Sequence, residues 1–183
     1  MARPDYREAL RRTGIIIALA EFDPRVAGTP PLGLDLPTSD IDVLCHAPDP
    51  NKFAAVVWNT FSDEANFAIR RWVAADRPVI ASFTAHGWLF EVFGQARPVS
   101  EQNGWRHFVV ERRLLAFGGT AFRAAIVSAR TQGMKTEPAF SAVLRLAGDP
   151  YRAVAELGQR DDASLMHLLA AAGFAAEQFR PPK

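Results

Sequence analysis

Cys45 is the chain's single cysteine. That excludes a disulfide within the chain and leaves a cysteine-based zinc site without its ligands. Long hydrophobic runs are also missing. The longest near the start, Ile15–Ala20, is far too short to cross a bilayer. The opening "MARPDYREALRR" is charged and helix-like, with no apolar stretch leading to a small-residue cleavage site. A cytoplasmic protein with no membrane partner is the expectation. Nor is there an excess of charge of either sign, since 21 basic and 20 acidic residues leave a formal net charge of +1. No global field draws the chain toward nucleic acid or membrane, although charge alone does not exclude a nucleic-acid partner. Internal repeats and low-complexity segments are absent. What is there suits a soluble globular protein of 183 residues, 49% hydrophobic and 22% charged. That length allows one domain, or one domain with a small helical annex.

Local signals divide the chain in two. Residues 5–22 read as a helix capped by Asp5, weakened at Gly14, with Ile15–Ile17 equally suited to a short strand. Val26-Ala27 closes a strand, and Gly28, Pro30, Pro31, Gly33 and Pro37 enforce a loop. A strand follows from Ile41 to Ala47. Then comes a helix with Asp49 at its cap and Pro50 in its first turn. "FAIRRWVA", "RPVIASFTA" and "GWLFEVFG" read as consecutive strands joined by turns at "ADRP" and "AHG". From Ser100, a candidate cap, the pattern is helical, with further helices at about 119–132, 137–146, 150–158 and 162–172. The tail "RPPK" is expected to fray. The fold class is therefore α+β. A mixed domain over 1–98 is followed by a helical bundle over 99–183 that packs against it.

The stretch "GTPPLGLDLPTSDIDVLC" places Asp35, Asp40 and Asp42 close to an apolar strand. Side chains alternate along a strand, so Asp40 and Asp42 share one face and Ile41, Val43 and Cys45 the other. Two like charges beside a core need compensation, and a divalent cation such as Mg²⁺ supplies it to carboxylate oxygens. The other reading is a solvent-facing turn. Glu91 interrupts "WLFEVF", apolar on both faces, and needs a partner too. If its strand adjoins the Ile41 strand, three carboxylates meet and can hold one or two Mg²⁺ ions. An ion pair with Arg70 or Arg112 is the alternative. Upstream, Gly28-Thr29 offers backbone N–H groups and a hydroxyl suited to phosphate oxygens.

"GT", ten residues, "SDIDVL" and a later strand acid resemble the nucleotidyltransferase superfamily that includes DNA polymerase beta. The superfamily pattern is Gly-Ser or Gly-Gly, a spacer, Asp-x-Asp between apolar residues, and a third acid on a neighbouring strand. Gly28, Asp40 and Asp42 match it. Thr29 stands for the usual Ser and keeps the hydroxyl, whereas Glu91 departs from the usual Asp. A narrower resemblance links "PLGLDLPTSDIDVLC", "EVFGQARPVSEQNGWRHFVVERRLL" and "KTEPAFSAVLRLAGDPY" to a bacterial family of small uncharacterised proteins assigned to this fold. The superfamily resemblance implies a nucleotidyltransferase-like mixed sheet with flanking helices. It implies Mg²⁺ on Asp40, Asp42 and Glu91, in a site that can hold two metals, with these three residues catalytic. It further implies an NTP held by Gly28 and Thr29, with Ser39 beside them, and a nucleotidyl group moved to a hydroxyl acceptor of unspecified identity. The alternatives are a non-catalytic nucleotide sensor or a protein-interaction module on the same fold, including a toxin–antitoxin component. The sequence sets no oligomeric state.

Other residues carry weaker signals. His107 and Glu111 stand at i and i+4 on one helix face, as an outer shell to the acidic site, as a contact to a base or acceptor, or as a structural pair. Lys135 could reach a phosphate, or flank a helix capped by Thr136 and followed by Glu137. Asp35 reads as a loop residue. Trp58, Trp72, Trp88 and Trp105 read as core or semi-buried packing residues, and Cys45 as an inert strand thiol.

Overall fold

The computed structural model describes residues 3–73 and 77–174. Part of the expected "ADRP" turn and the whole "RPPK" tail lie outside the described residues. The chain forms two compact units, Met1–Trp105 and Arg106–Lys183.

The first unit begins with α1 (Tyr6–Thr13), whose first turn is capped by Asp5 accepting from the Arg7 amide at 2.8 Å. The single helix expected over 5–22 is broken. Gly14 takes a left-handed conformation (φ 66°) that most side chains avoid, and it ends α1. One helical turn, α2 (Ile15–Ala18), and a 3-10 turn at Ala20–Phe22 complete the segment, so Ile15–Ile17 is not a strand. After β1 (Arg25–Ala27) and the proline-rich loop comes β2 (Ile41–His46). Next is α3 (Pro50–Phe61), where Asp49 accepts from the Asn51 and Lys52 amides. A meander of β3 (Ala65–Arg71), β4 (Val79–Ala85) and β5 (Trp88–Gln95) follows.

The sheet order is β1-β2-β5-β4-β3. The central pair β2–β5 is parallel and the other three pairs are antiparallel. One face is the core of this unit. Ile41, Val43, Cys45, Phe90 and Val92 are fully buried there with Phe53, Val57 and the α1–α2 residues Ala9 and Ile15. Phe83 stacks between Phe61 and Phe90, with ring centroids 4.8 and 5.1 Å away. Gly94 faces Phe53 so closely that a Cβ would overlap the ring, which fixes how near α3 lies to the sheet. Burying a phenylalanine in such a cluster stabilises by about 1.5–3 kcal/mol.

The tryptophans differ in depth. Trp58 and Trp72 are half exposed, while Trp88 is buried and donates its indole N–H to the Pro4 carbonyl at 2.9 Å. Trp58 still packs edge-on against Phe67, which explains its place on the outer side of α3.

The second unit is helical, and α4 (Asn103–Thr131) runs into it across the division. A 3-10 turn at Val99–Glu101 occupies the expected cap region, so Ser100 caps nothing. Gly119 (φ 63°, ψ −161°) interrupts α4, which matches the expected restart near residue 119. Then come α5 (Thr136–Val143), α6 (Pro150–Leu157) and α7 (Asp162–Ala171). Asp149 and Asp161 cap the last two by accepting from the Arg152 and Ser164 amides at 2.9 and 2.8 Å. Lys135, not Thr136, stands at the cap position of α5, and no side chain caps it. Phe122, Ile126, Phe140, Val154, Leu165 and Leu169 are fully buried in this unit. A five-stranded mixed sheet with helices before, between and after its strands makes the α+β class of the sequence reading. No helix among the described residues is long and apolar enough to cross a membrane.

Candidate metal and nucleotide site

The sheet face opposite the core of the first unit carries the acids. Parallel pairing sets Asp42 directly beside Glu91. Asp40 precedes β2 by one residue and follows the same alternation, so it joins them. One carboxylate oxygen from each of Asp40, Asp42 and Glu91 lies within 4.8 Å of the other two. All three are partly exposed, leaving room for water or a ligand. The strand adjacency that the sequence reading required for Glu91 is thus present.

On the far side, β1 sets Ala27 opposite Asp42, and Gly28 follows immediately. Gly28 has φ 74°, and a Cβ there would overlap the Asp42 carboxylate. Glycine is needed twice over, for the backbone angle and for the close approach.

Thr29 and Ser39 behave differently from a bare phosphate grip. Both are buried, and the Thr29 hydroxyl donates to Ser39 Oγ at 3.1 Å. Ser39 Oγ also accepts from the Leu36 amide at 2.9 Å. The Thr29 carbonyl accepts from the Leu32 and Leu34 amides, both at 3.1 Å. The two hydroxyls therefore hold the loop that delivers Asp40. Arg3, which the sequence reading missed, holds the same loop from outside. Its guanidinium donates to the carbonyls of Leu36, Pro37 and Ser39 at 3.0, 2.9 and 3.1 Å, and lies 3.4 Å from the Trp88 ring centroid. Asp35 is a loop residue paired with Arg3 at 3.4 Å.

Burial, then the Asp40 charge, raises the Glu91 carboxyl above its ordinary value, against the pull of Arg70. Arg70 reaches this face because it pairs with Ile80, two residues along β4 from Ser82, the register partner of Glu91. Cys45 lies on the core face, where burial pushes its thiol up to about 12, so it is inert.

His107 and Glu111 lie one turn apart on α4, and a third residue, Glu137 in the first turn of α5, joins them. Their ligand atoms also fall within 4.8 Å of one another. Burial, then the Glu137 charge, raises the Glu111 carboxyl well above its ordinary value, opposed by Arg130. The sequence signal for Glu137 was only its place beside a helix start.

A family model described as "Domain of unknown function (DUF4269)" matches residues 8–157. The chain belongs to the DUF4269 family. Curated proteins give this DUF4269 chain no match by sequence. Solved structures show its fold. It resembles a chain of the GLD-2/RNP-8 complex at a TM-score of 0.53 and 12% identity, over 91% of this chain and 75% of that one. It resembles Cid1 poly(U) polymerase with MgGTP bound at a TM-score of 0.53 and 13% identity, over 82% of this chain. A cytoplasmic RNA terminal U-transferase matches at a TM-score of 0.51 and 12% identity, over 81% of this chain and 43% of that one. The DUF4269 chain spans about half of the Cid1 chain, 47% of its length. Its fold is that of the nucleotidyltransferases, as the sequence resemblance implied.

Proposed function

We propose that this protein is an Mg²⁺-dependent nucleotidyltransferase that moves a nucleotidyl group from an NTP to a hydroxyl acceptor. One observation carries the reading. Asp42 and Glu91 are register partners at the centre of the sheet, Asp40 joins them, and the Gly28 backbone lies against Asp42. The donor set fits Mg²⁺, since it is all oxygen and partly open to water. The fold shared with Cid1, whose structure holds MgGTP, supports a metal-bound nucleotide as the ligand class.

Asp40, Asp42 and Glu91 would hold the metal. Bound there, Mg²⁺ would neutralise phosphate charge and stabilise the attacking and leaving oxygens of an in-line displacement. Glu91 binds protons more readily than an ordinary carboxylate, which suits it to receive the proton of the acceptor hydroxyl. The Gly28 backbone would meet the triphosphate, with Thr29 and Ser39 shaping the loop around it.

A nucleotide sensor on the same fold is the second reading. Glu91 in place of the superfamily's usual Asp favours it, because the longer side chain changes how the third carboxylate meets a catalytic metal. Incubation with labelled NTPs, Mg²⁺ and a panel of hydroxyl acceptors separates the two. Pyrophosphate release that Asp40→Asn with Asp42→Asn abolishes supports the transferase. Nucleotide affinity without release supports the sensor, and binding unchanged in the double variant sinks the metal site.

A further inference from the structure

We propose that His107, Glu111 and Glu137 form a second metal centre, within the helical unit, that takes a divalent transition ion of the zinc class. Three observations carry it. The ligand atoms of the three residues converge within 4.8 Å. Glu111 is only 4% exposed, and its Oε1 accepts no hydrogen bond from the protein. His107 Nδ1 is likewise buried without a hydrogen-bond partner, and it stands 3.9 Å from Glu137 Oε1, too far for a hydrogen bond. A structural His–Glu pair would satisfy these atoms with each other. Here Glu111 Oε1 and His107 Nδ1 lie in one cluster and have no hydrogen-bond partner.

Donor chemistry selects the ion. One imidazole and two carboxylates suit a borderline cation, whereas Mg²⁺ prefers oxygen alone. Zinc–ligand bonds of about 2.0–2.2 Å put tetrahedral ligands roughly 3.4 Å apart, so the 3.9 Å between His107 Nδ1 and Glu137 Oε1 is close to what a bound ion requires. Glu137 and His107 retain 24% and 14% side-chain exposure, which gives the ion an entry path and a water position. His107 and Glu111 come from α4 and Glu137 from α5. Those helices already touch through Phe122 and Phe140, whose ring centroids are 5.7 Å apart. A bound ion would clip them together at a second point, and the centre makes no use of the strand acids.

The test uses the full chain, stripped with chelator and titrated with Zn²⁺ by calorimetry. Co²⁺ absorption reports the ligand field. The Asp40→Asn, Asp42→Asn double variant is the background, so failure of the strand site does not confuse the result. One equivalent of Zn²⁺ is expected there, retained under millimolar Mg²⁺. His107→Gln and Glu137→Gln should each weaken it at least tenfold and abolish the rise in Tm that Zn²⁺ gives the parent. Glu137→Gln alters a partly exposed side chain and keeps the test valid if His107→Gln fails to fold. Absence of Zn²⁺ binding, or binding that survives both substitutions, overturns the proposal.

Discussion

Asp40, Asp42 and Glu91 stand on or beside strands, partly exposed, and their spacing is set by backbone pairing between β2 and β5. His107, Glu111 and Glu137 stand on helices, and Glu111 is sealed from water. Each cluster has three donors within the same reach, yet the surroundings ask for different chemistry. A partly exposed all-oxygen cluster pays less for its charge than a sealed one. A buried mixed cluster holds an ionised carboxylate only with close compensation. Burial and donor type, more than the number of acids, separate the ion each cluster would suit.

The sharpest way to break the comparison is the Asp40→Asn, Asp42→Asn pair. If the strand cluster alone is catalytic, transfer should fall at least ~1000-fold, about 4 kcal/mol, as read by pyrophosphate release. His107→Gln should leave most of the rate.

Next in size is Gly28→Ala. It places a Cβ on the Asp42 carboxylate at a positive φ. Mg²⁺ affinity, followed by calorimetry, should fall roughly tenfold as Asp42 is displaced, about 1.4 kcal/mol. The positive φ adds about 1–2 kcal/mol of strain, seen as a lower Tm.

Glu111→Gln tests the buried cluster in the presence of chelator. The folded Glu111 carboxyl titrates above its unfolded value, so its ionisation opposes the fold. Stability is full below the unfolded value and is lost as pH rises through the folded one. Glu137 and His107 face the group and Arg130 opposes the shift. Above neutral pH the variant should melt higher than the parent by roughly 3 °C, for about 1 kcal/mol of relieved burial. At pH 4 the two should coincide, and a constant gap across pH would contradict the assignment.

The smallest effect belongs to Arg70→Ala. Removing its charge raises the Glu91 carboxyl further, so the acid limb of Mg²⁺ binding should move to higher pH. A shift toward lower pH would show that Arg70 does not act on Glu91.

Features written locally were legible in the sequence. Asp49-Pro50 announced α3, the small-residue and acidic breaks placed α5 to α7, and strand alternation put Asp40 and Asp42 on one face. Glu91 was legible as an acid in need of a partner, but its place beside Asp42 depends on a parallel pairing that no nearby residue encodes. Arg3 escaped notice for the same reason, since the carbonyls it binds lie more than 30 residues away. Aromatic character signalled packing at Trp58 and Trp72 without saying which side of a helix or strand meets solvent. Glu137 joins His107 and Glu111 only once α5 folds back beside α4.

The parallel β2–β5 pair has a consequence for the order of assembly. Successive hairpins link β3, β4 and β5, so that meander forms from contacts close in the chain. β2 must close a loop containing α3 and two strands before it pairs, a slower step entropically. During synthesis, Asp40 and Asp42 leave the ribosome well before Glu91 exists to meet them. A nascent chain therefore has no complete acidic cluster, and an ion held by the three acids would stabilise only molecules in which β2 has already docked.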